Sequence, residues 1–112
     1  MGQRGSFQQV MRLRLLALTS FVGLAACGPV QSTAYLIDAD VQLEAARTAQ
    51  ADKLAPYEWT SANLYLHKAR EEVGYSDFEQ AVSYAQKAAK FASSARDVAM
   101  KSVRKDEPSA NP

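Results

Sequence analysis

The 112-residue chain has a single cysteine, a single histidine and a single tryptophan, with five glycines and four prolines. One cysteine cannot form an intramolecular disulfide, and one thiol with one imidazole is too few ligands for a zinc site. The lone His67 has no serine, cysteine or second histidine placed by sequence to serve it as a general base, so an enzyme is not expected and His67 reads as a solvated surface residue. The acids Glu71, Glu72, Asp77 and Glu79 gather near one turn, but no loop has the alternating oxygen ligands and central glycine of a calcium hand. They fit helix-end complementarity and a solvated face instead, and no metal or cofactor is expected.

Long apolar runs are also missing. The longest, "LLALTSFVGLAA" at residues 15 to 26, is well short of the roughly 20 apolar residues that cross a bilayer as a helix. It follows Arg4, Arg12 and Arg14 with no intervening acid and ends on small residues before Cys27. A basic segment, an apolar segment and a small-residue cleavage zone are the layout of a secretory signal, so residues 1–26 are expected to be removed between Ala26 and Cys27. Either Met1 or Met11 can begin such a signal. The remainder carries ten basic and twelve acidic side chains, a net charge of −2. That balance excludes the basic stripe that nucleic acid requires. A free thiol exported to an oxidising compartment would be a liability, which leaves covalent modification as the best use of Cys27.

Downstream of Cys27 the apolar spacing is helical throughout, and nowhere alternates in the period of a strand. Residues 27–32, "CGPVQS", read as the modified cysteine and a short tether, and residues 33–105 as one all-α domain. Its first helix is expected from Ser32 or Thr33 to Leu54, with a broad face of Leu36, Ala39, Leu43 and Ala46 flanked by Ile37, Val41 and Ala45. The second opens at Pro56, presents Trp59, Ala62, Leu66, Ala69 and Val73 as one stripe, and ends at Gly74. "SDFE" then reads as a capping box led by Ser76. The third helix, from about Asp77 to Arg104 or Lys105, is roughly 40 Å long and overhangs the second. It carries Phe78, Ala81, Ala85, Ala88, Ala92, Ala95 and Ala99 on one face and Tyr84, Phe91 and Val98 along a second line. Residues 106–112, with two prolines and no periodicity, are expected to be disordered. Short turns between these helices predict a small antiparallel three-helix bundle. Alanine supplies 17 of the 85 residues from Gly28 onward, so close helix approach with little apolar area per contact is expected.

The line Tyr84, Phe91 and Val98 has two readings: packing on the first helix, or a ridge that meets a protein partner. Tyr57, Trp59, Tyr65 and Tyr75 support an alternative in which a small ligand or peptidoglycan fragment is held between the helices.

"LAAC", with Leu24 three before the cysteine and Ala25 and Ala26 beside it, closely resembles a bacterial lipobox. The resemblance implies a diacylglyceryl thioether and an N-acyl chain on Cys27 as the only attached groups. Gly28, in place of the aspartate associated with inner-membrane retention, implies the periplasmic face of the outer membrane by similarity to enterobacterial sorting. "LYLHKAREEVGYSDFEQAVSYAQKA" resembles one tetratricopeptide hairpin at Ala69, Ala81 and Ala88. Over nearly the whole exported chain, through "APYEWTSANLYLHKARE" and "DFEQAVSYAQKAAKFA", the sequence resembles a family of short, alanine-rich, helical bacterial lipoproteins catalogued as a domain of unknown function. That implies a non-catalytic envelope protein, structural or adaptor in role, partnered by an envelope protein or its own copies. Changing Cys27→Ser is expected to block lipidation and release the protein from the outer-membrane fraction, checked by palmitate labelling and fractionation.

Overall fold

In the computed structural model the described residues are 4–24 and 27–107. Among them every element is helical: α1 (Arg4–Leu24), α2 (Cys27–Thr48), α3 (Ala51–Leu54), α4 (Pro56–Gly74) and α5 (Phe78–Asp106). The expected signal segment thus contributes α1, and no described helix is long and apolar enough to cross a membrane. Ala26 and residues 108–112 of the expected disordered tail lie outside the described residues.

The core is built from alanine. Its buried members are twelve alanines, Leu66 and the hydroxyl residue Ser32. All but Ala51 and Leu66 fall into ladders that step by seven: Ser32, Ala39 and Ala46 on α2; Ala55, Ala62 and Ala69 along α4; and two on α5, Ala81, Ala88 and Ala95 beside Ala85, Ala92 and Ala99. Each ladder is a strip that returns to the same side of its helix every two turns. Ala39 meets Leu66 and Ala88, while Ala46 shares a cluster with Ala51, Ala55, Ala95 and Ala99. The constant offset from Ala39 to Ala88 and from Ala46 to Ala95 makes α2 and α5 parallel neighbours. The pairs Tyr57 with Phe91 and Tyr65 with Tyr84 run in opposite order, so α4 is antiparallel to α5. Both α2 and α4 pack along the length of α5, which is the central helix of the domain. Side chains no larger than a methyl at these contacts allow interaxial distances near the lower end, roughly 8 Å, of the usual range.

The second domain helix runs from Pro56 to Gly74 as expected, while three other boundaries differ from the spacing-based expectation. The first domain helix begins at Cys27, so the segment expected as a tether is helical. The Ser32 and Thr33 hydroxyls, expected as caps, instead donate back to the Pro29 carbonyl at 3.0 and 2.8 Å, bonds available only inside a turn already formed. That helix also stops early: Gln50 adopts the left-handed region at φ 58° and the chain restarts as α3, which turns Ala51 and Ala55 into the Ala46 cluster. Between α4 and α5 the left-handed position is Ser76 (φ 63°) rather than Gly74, which is the last helical residue. The Asp77 amide donates to the Glu72 carbonyl and the Ser76 amide to the Val73 carbonyl, the paired bonds of a Schellman ending. Ser76 is thereby committed to α4, and Asp77 caps α5 by accepting from the Gln80 amide at 3.1 Å. Finally, Ile37 and Val41, expected beside the packing face of α2, are exposed because they lie opposite its alanine ladder.

Beyond Ala99, opposite the start of α4, the last two turns of α5 line an open hollow with Thr48, Ala49 and Gln50, and Met100 and Val103 are exposed there. The packed alanines leave no slack for larger side chains. Ala92→Leu is expected to destabilise the domain by about 1–3 kcal/mol through overpacking. Ala34→Leu, on the exposed side of α2, should shift stability by less than about 0.5 kcal/mol. Urea unfolding followed by circular dichroism measures both.

Candidate functional site

Two surfaces carry the chemistry that the core lacks. The first is the N-terminal end of α2, where Cys27 presents an exposed thiol. Its neighbour Gly28 faces α5 so closely that a Cβ there would sit 3.1 Å from Phe78 Cδ2 and 3.5 Å from Phe78 Cβ and Cγ. A side chain at this position would require the Phe78 ring to give by a few tenths of an ångström, so the cysteine-bearing end of α2 sits close against the start of α5.

The second is an aromatic and cationic face where α4 lies along α5. Tyr65 stacks on Tyr84 with centroids 6.0 Å apart and on Phe91 at 5.5 Å, and Tyr57 meets Phe91 edge-on at 6.4 Å. Lys87, one turn from both Tyr84 and Phe91 on α5, holds its ammonium 5.6 Å from the Tyr65 ring centre and 5.4 Å from that of Tyr84. At these distances the ring faces attract the cation. Tyr65, Lys87, Lys90, Phe91 and Ser94 line an open hollow of about 320 Å³. Of the line Tyr84, Phe91 and Val98, the first two therefore meet α4 rather than the first domain helix and stay partly exposed, while Val98 packs against the Ala46 and Ala99 cluster. The four aromatics considered for ligand stacking separate: Tyr57 and Tyr65 join this face, Trp59 packs on the Ala46 cluster beneath the Arg47 guanidinium at 5.9 Å, and Tyr75 is exposed at the turn. The contribution of Lys87 is not apparent from apolar spacing, although its position between two aromatics of one helical line is the pattern that marks it.

Several polar groups pair with one another. His67 is exposed with Glu71 at 3.4 Å. The Lys68 ammonium donates to Glu71 Oε2 at 2.8 Å, a bond that holds the Glu71 carboxyl below its ordinary pKa and raises that of Lys68. Arg70 donates to Asp40 at 2.7 Å and ties α4 to α2. Asp77 serves as the α5 cap, and among the described residues no group of three metal-binding side chains gathers.

A structural role for the aromatic face gives a definite expectation. Tyr65→Ala removes two ring contacts and part of the cover over Ala39, Leu66 and Ala88, and should cost about 2 kcal/mol. Tyr75→Ala, at 81% exposure, should be neutral within about 0.5 kcal/mol. Denaturant midpoints of the two variants provide the comparison.

Comparison with known proteins places the helical domain but adds no residue roles. No curated protein and no solved structure matches the chain. Residues 34–109, from within α2 to beyond the end of α5, match the model described as Domain of unknown function (DUF4398). With well over half of its length matched, and with the alanine ladders of α4 and α5 wholly inside the matched region, the chain belongs to the DUF4398 family.

Proposed function

We propose that this protein is a lipoprotein of the outer membrane, held at the periplasmic face by acyl chains on Cys27, and that its helical domain is a non-catalytic structural or adaptor module of a cell-envelope complex. The domain is read as a three-helix bundle of α2, α4 and α5 in which α4 and α5 form a tetratricopeptide-like hairpin. The observation that carries the adaptor reading is the aromatic and lysine face on α4 and α5. Tyr57, Tyr65, Tyr84 and Phe91 remain partly or largely exposed although the core beneath them is closed by alanine. Aromatic side chains beside cations on a rigid helical surface are the composition of protein-docking sites, where rings contribute area at low entropic cost. Catalysis finds little support: the neighbour of His67 is Glu71, which also pairs with Lys68, and Asp77 caps α5.

The hollow between Tyr65, Lys87, Lys90, Phe91 and Ser94 favours a second reading, a lipoprotein that holds a small anionic ligand or a peptidoglycan fragment. Rings would stack on sugar or peptide planes, and the two lysines would meet carboxylates. At about 320 Å³ and open to solvent, the hollow is at the small end for ligand sites. It is also a surface groove rather than an enclosed pocket.

Benzoylphenylalanine placed at Tyr57 or Phe91 in intact cells separates the two. The adaptor reading predicts crosslinked species that contain a second protein or a second copy of this chain. Recovery of free monomer alone from both positions, together with saturable binding of muropeptides by the purified chain, would replace it with the ligand reading.

A further inference from the structure

Because α2 packs through Ser32, Ala39 and Ala46, its opposite side faces solvent. At 100° per residue, Cys27, Val30, Ala34, Ile37 and Val41 fall within an arc of roughly 80° centred opposite that ladder. All five are exposed, with Val30, Ile37 and Val41 at 69, 58 and 59%. No charged residue falls inside the arc, and Asp38 and Glu44 border it on its two sides. The strip runs for roughly 20 Å along the helix and begins at the thiol itself.

The geometry points to a membrane-docking face: α2 lies along the bilayer surface on the strip of Val30, Ala34, Ile37 and Val41, as a continuation of the acyl anchor at Cys27. This rests on the lipoprotein reading above and adds to it an orientation. The occupant is lipid rather than a second copy because so narrow a row of medium-sized side chains offers far less than the roughly 800 Å² per partner of a stable protein interface. For a bilayer the same small area is enough. Acyl chains leaving from the end of the strip hold it beside the membrane at high effective concentration, so insertion needs only a modest apolar gain. The helical start of α2 at Cys27 removes the flexible leash that would uncouple anchor from helix. The acidic borders and the absence of Lys or Arg beside the strip mean that contact does not depend on anionic headgroups.

The test uses the full chain purified from membranes, in which thioether-linked Cys27 offers no free thiol. An environment-sensitive nitrobenzoxadiazole label is attached through Ile37→Cys or, as control, Gln86→Cys on an exposed position of α5. Each protein is reconstituted in phosphatidylcholine vesicles, and in phosphatidylethanolamine and phosphatidylglycerol vesicles, with and without brominated acyl chains. The expected result is that brominated lipid removes at least half of the emission from position 37 in both compositions and little of that from position 86. An intact mass showing acylated protein that floats with the vesicles while position 37 stays unquenched would overturn the docking face and leave the anchor standing. Concentration-dependent burial of position 37 in detergent, with no quenching by lipid, would likewise overturn it in favour of a second copy. A mass without acyl groups would remove the anchor and the docking face together.

Discussion

The close approach of three helices on methyl-sized side chains is the constraint from which the rest of the structure follows. The central helix α5 presents its alanine ladders to α2 and α4 together: Ala88 meets both Ala39 and Leu66, and Ala95 and Ala99 share one cluster with Ala46 and Ala55. Leu66 is the only large apolar side chain among the buried described residues. Such packing passes positional demands from one helix to the next. Gly28 lies close against Phe78, and Gln50 takes a left-handed conformation where the chain turns to bring Ala51 and Ala55 under Ala95 and Ala99.

An alanine core has an energetic consequence as well as a steric one. Each buried methyl contributes less than a leucine side chain would, at roughly 0.8 kcal/mol per CH₂. The deficit is met at the edges of the ladders. Trp59, Leu54 and Val98 close one end, Leu36, Leu43 and Tyr65 the middle, and the Arg70 to Asp40 pair ties the two outer helices across their polar sides. The larger side chains therefore sit at the surface or half in it, and that is where recognition chemistry collects. On α2 it is aliphatic and continuous with Cys27; on α4 and α5 it is aromatic and cationic. One molecule thus presents two unlike faces on one helical frame.

Most of the frame is legible in the sequence because its signals are local. Pro56 marks the start of α4 correctly, and the three-and-four spacing of Ala81 through Ala99 identifies the buried face of α5 residue by residue. The departures arise where a tertiary contact decides. Ile37 and Val41 are apolar at helical spacing, but spacing alone does not reveal that α5 lies on the other side of α2. Ser76 resembles a cap, yet the Schellman bonds at the end of α4 claim it and pass the capping role to Asp77. Gln50 carries none of the usual marks of a helix break, and its conformation follows from where Ala51 must go. The aromatic face was half visible: Tyr84 and Phe91 stand out by their seven-residue step, while Tyr65 becomes their partner only through the register of α4 on α5.

The proposed anchor at Cys27 is what would give these faces a membrane-bound role, and the mass of the natural N-terminus tests it most directly. Intact-protein and peptide mass spectrometry of material extracted from the membranes of its own cells is predicted to show a chain that begins at Cys27 and carries diacylglyceryl and N-acyl groups. A chain that begins at Met1 or Met11, with Cys27 recovered as an unmodified thiol, would contradict the account.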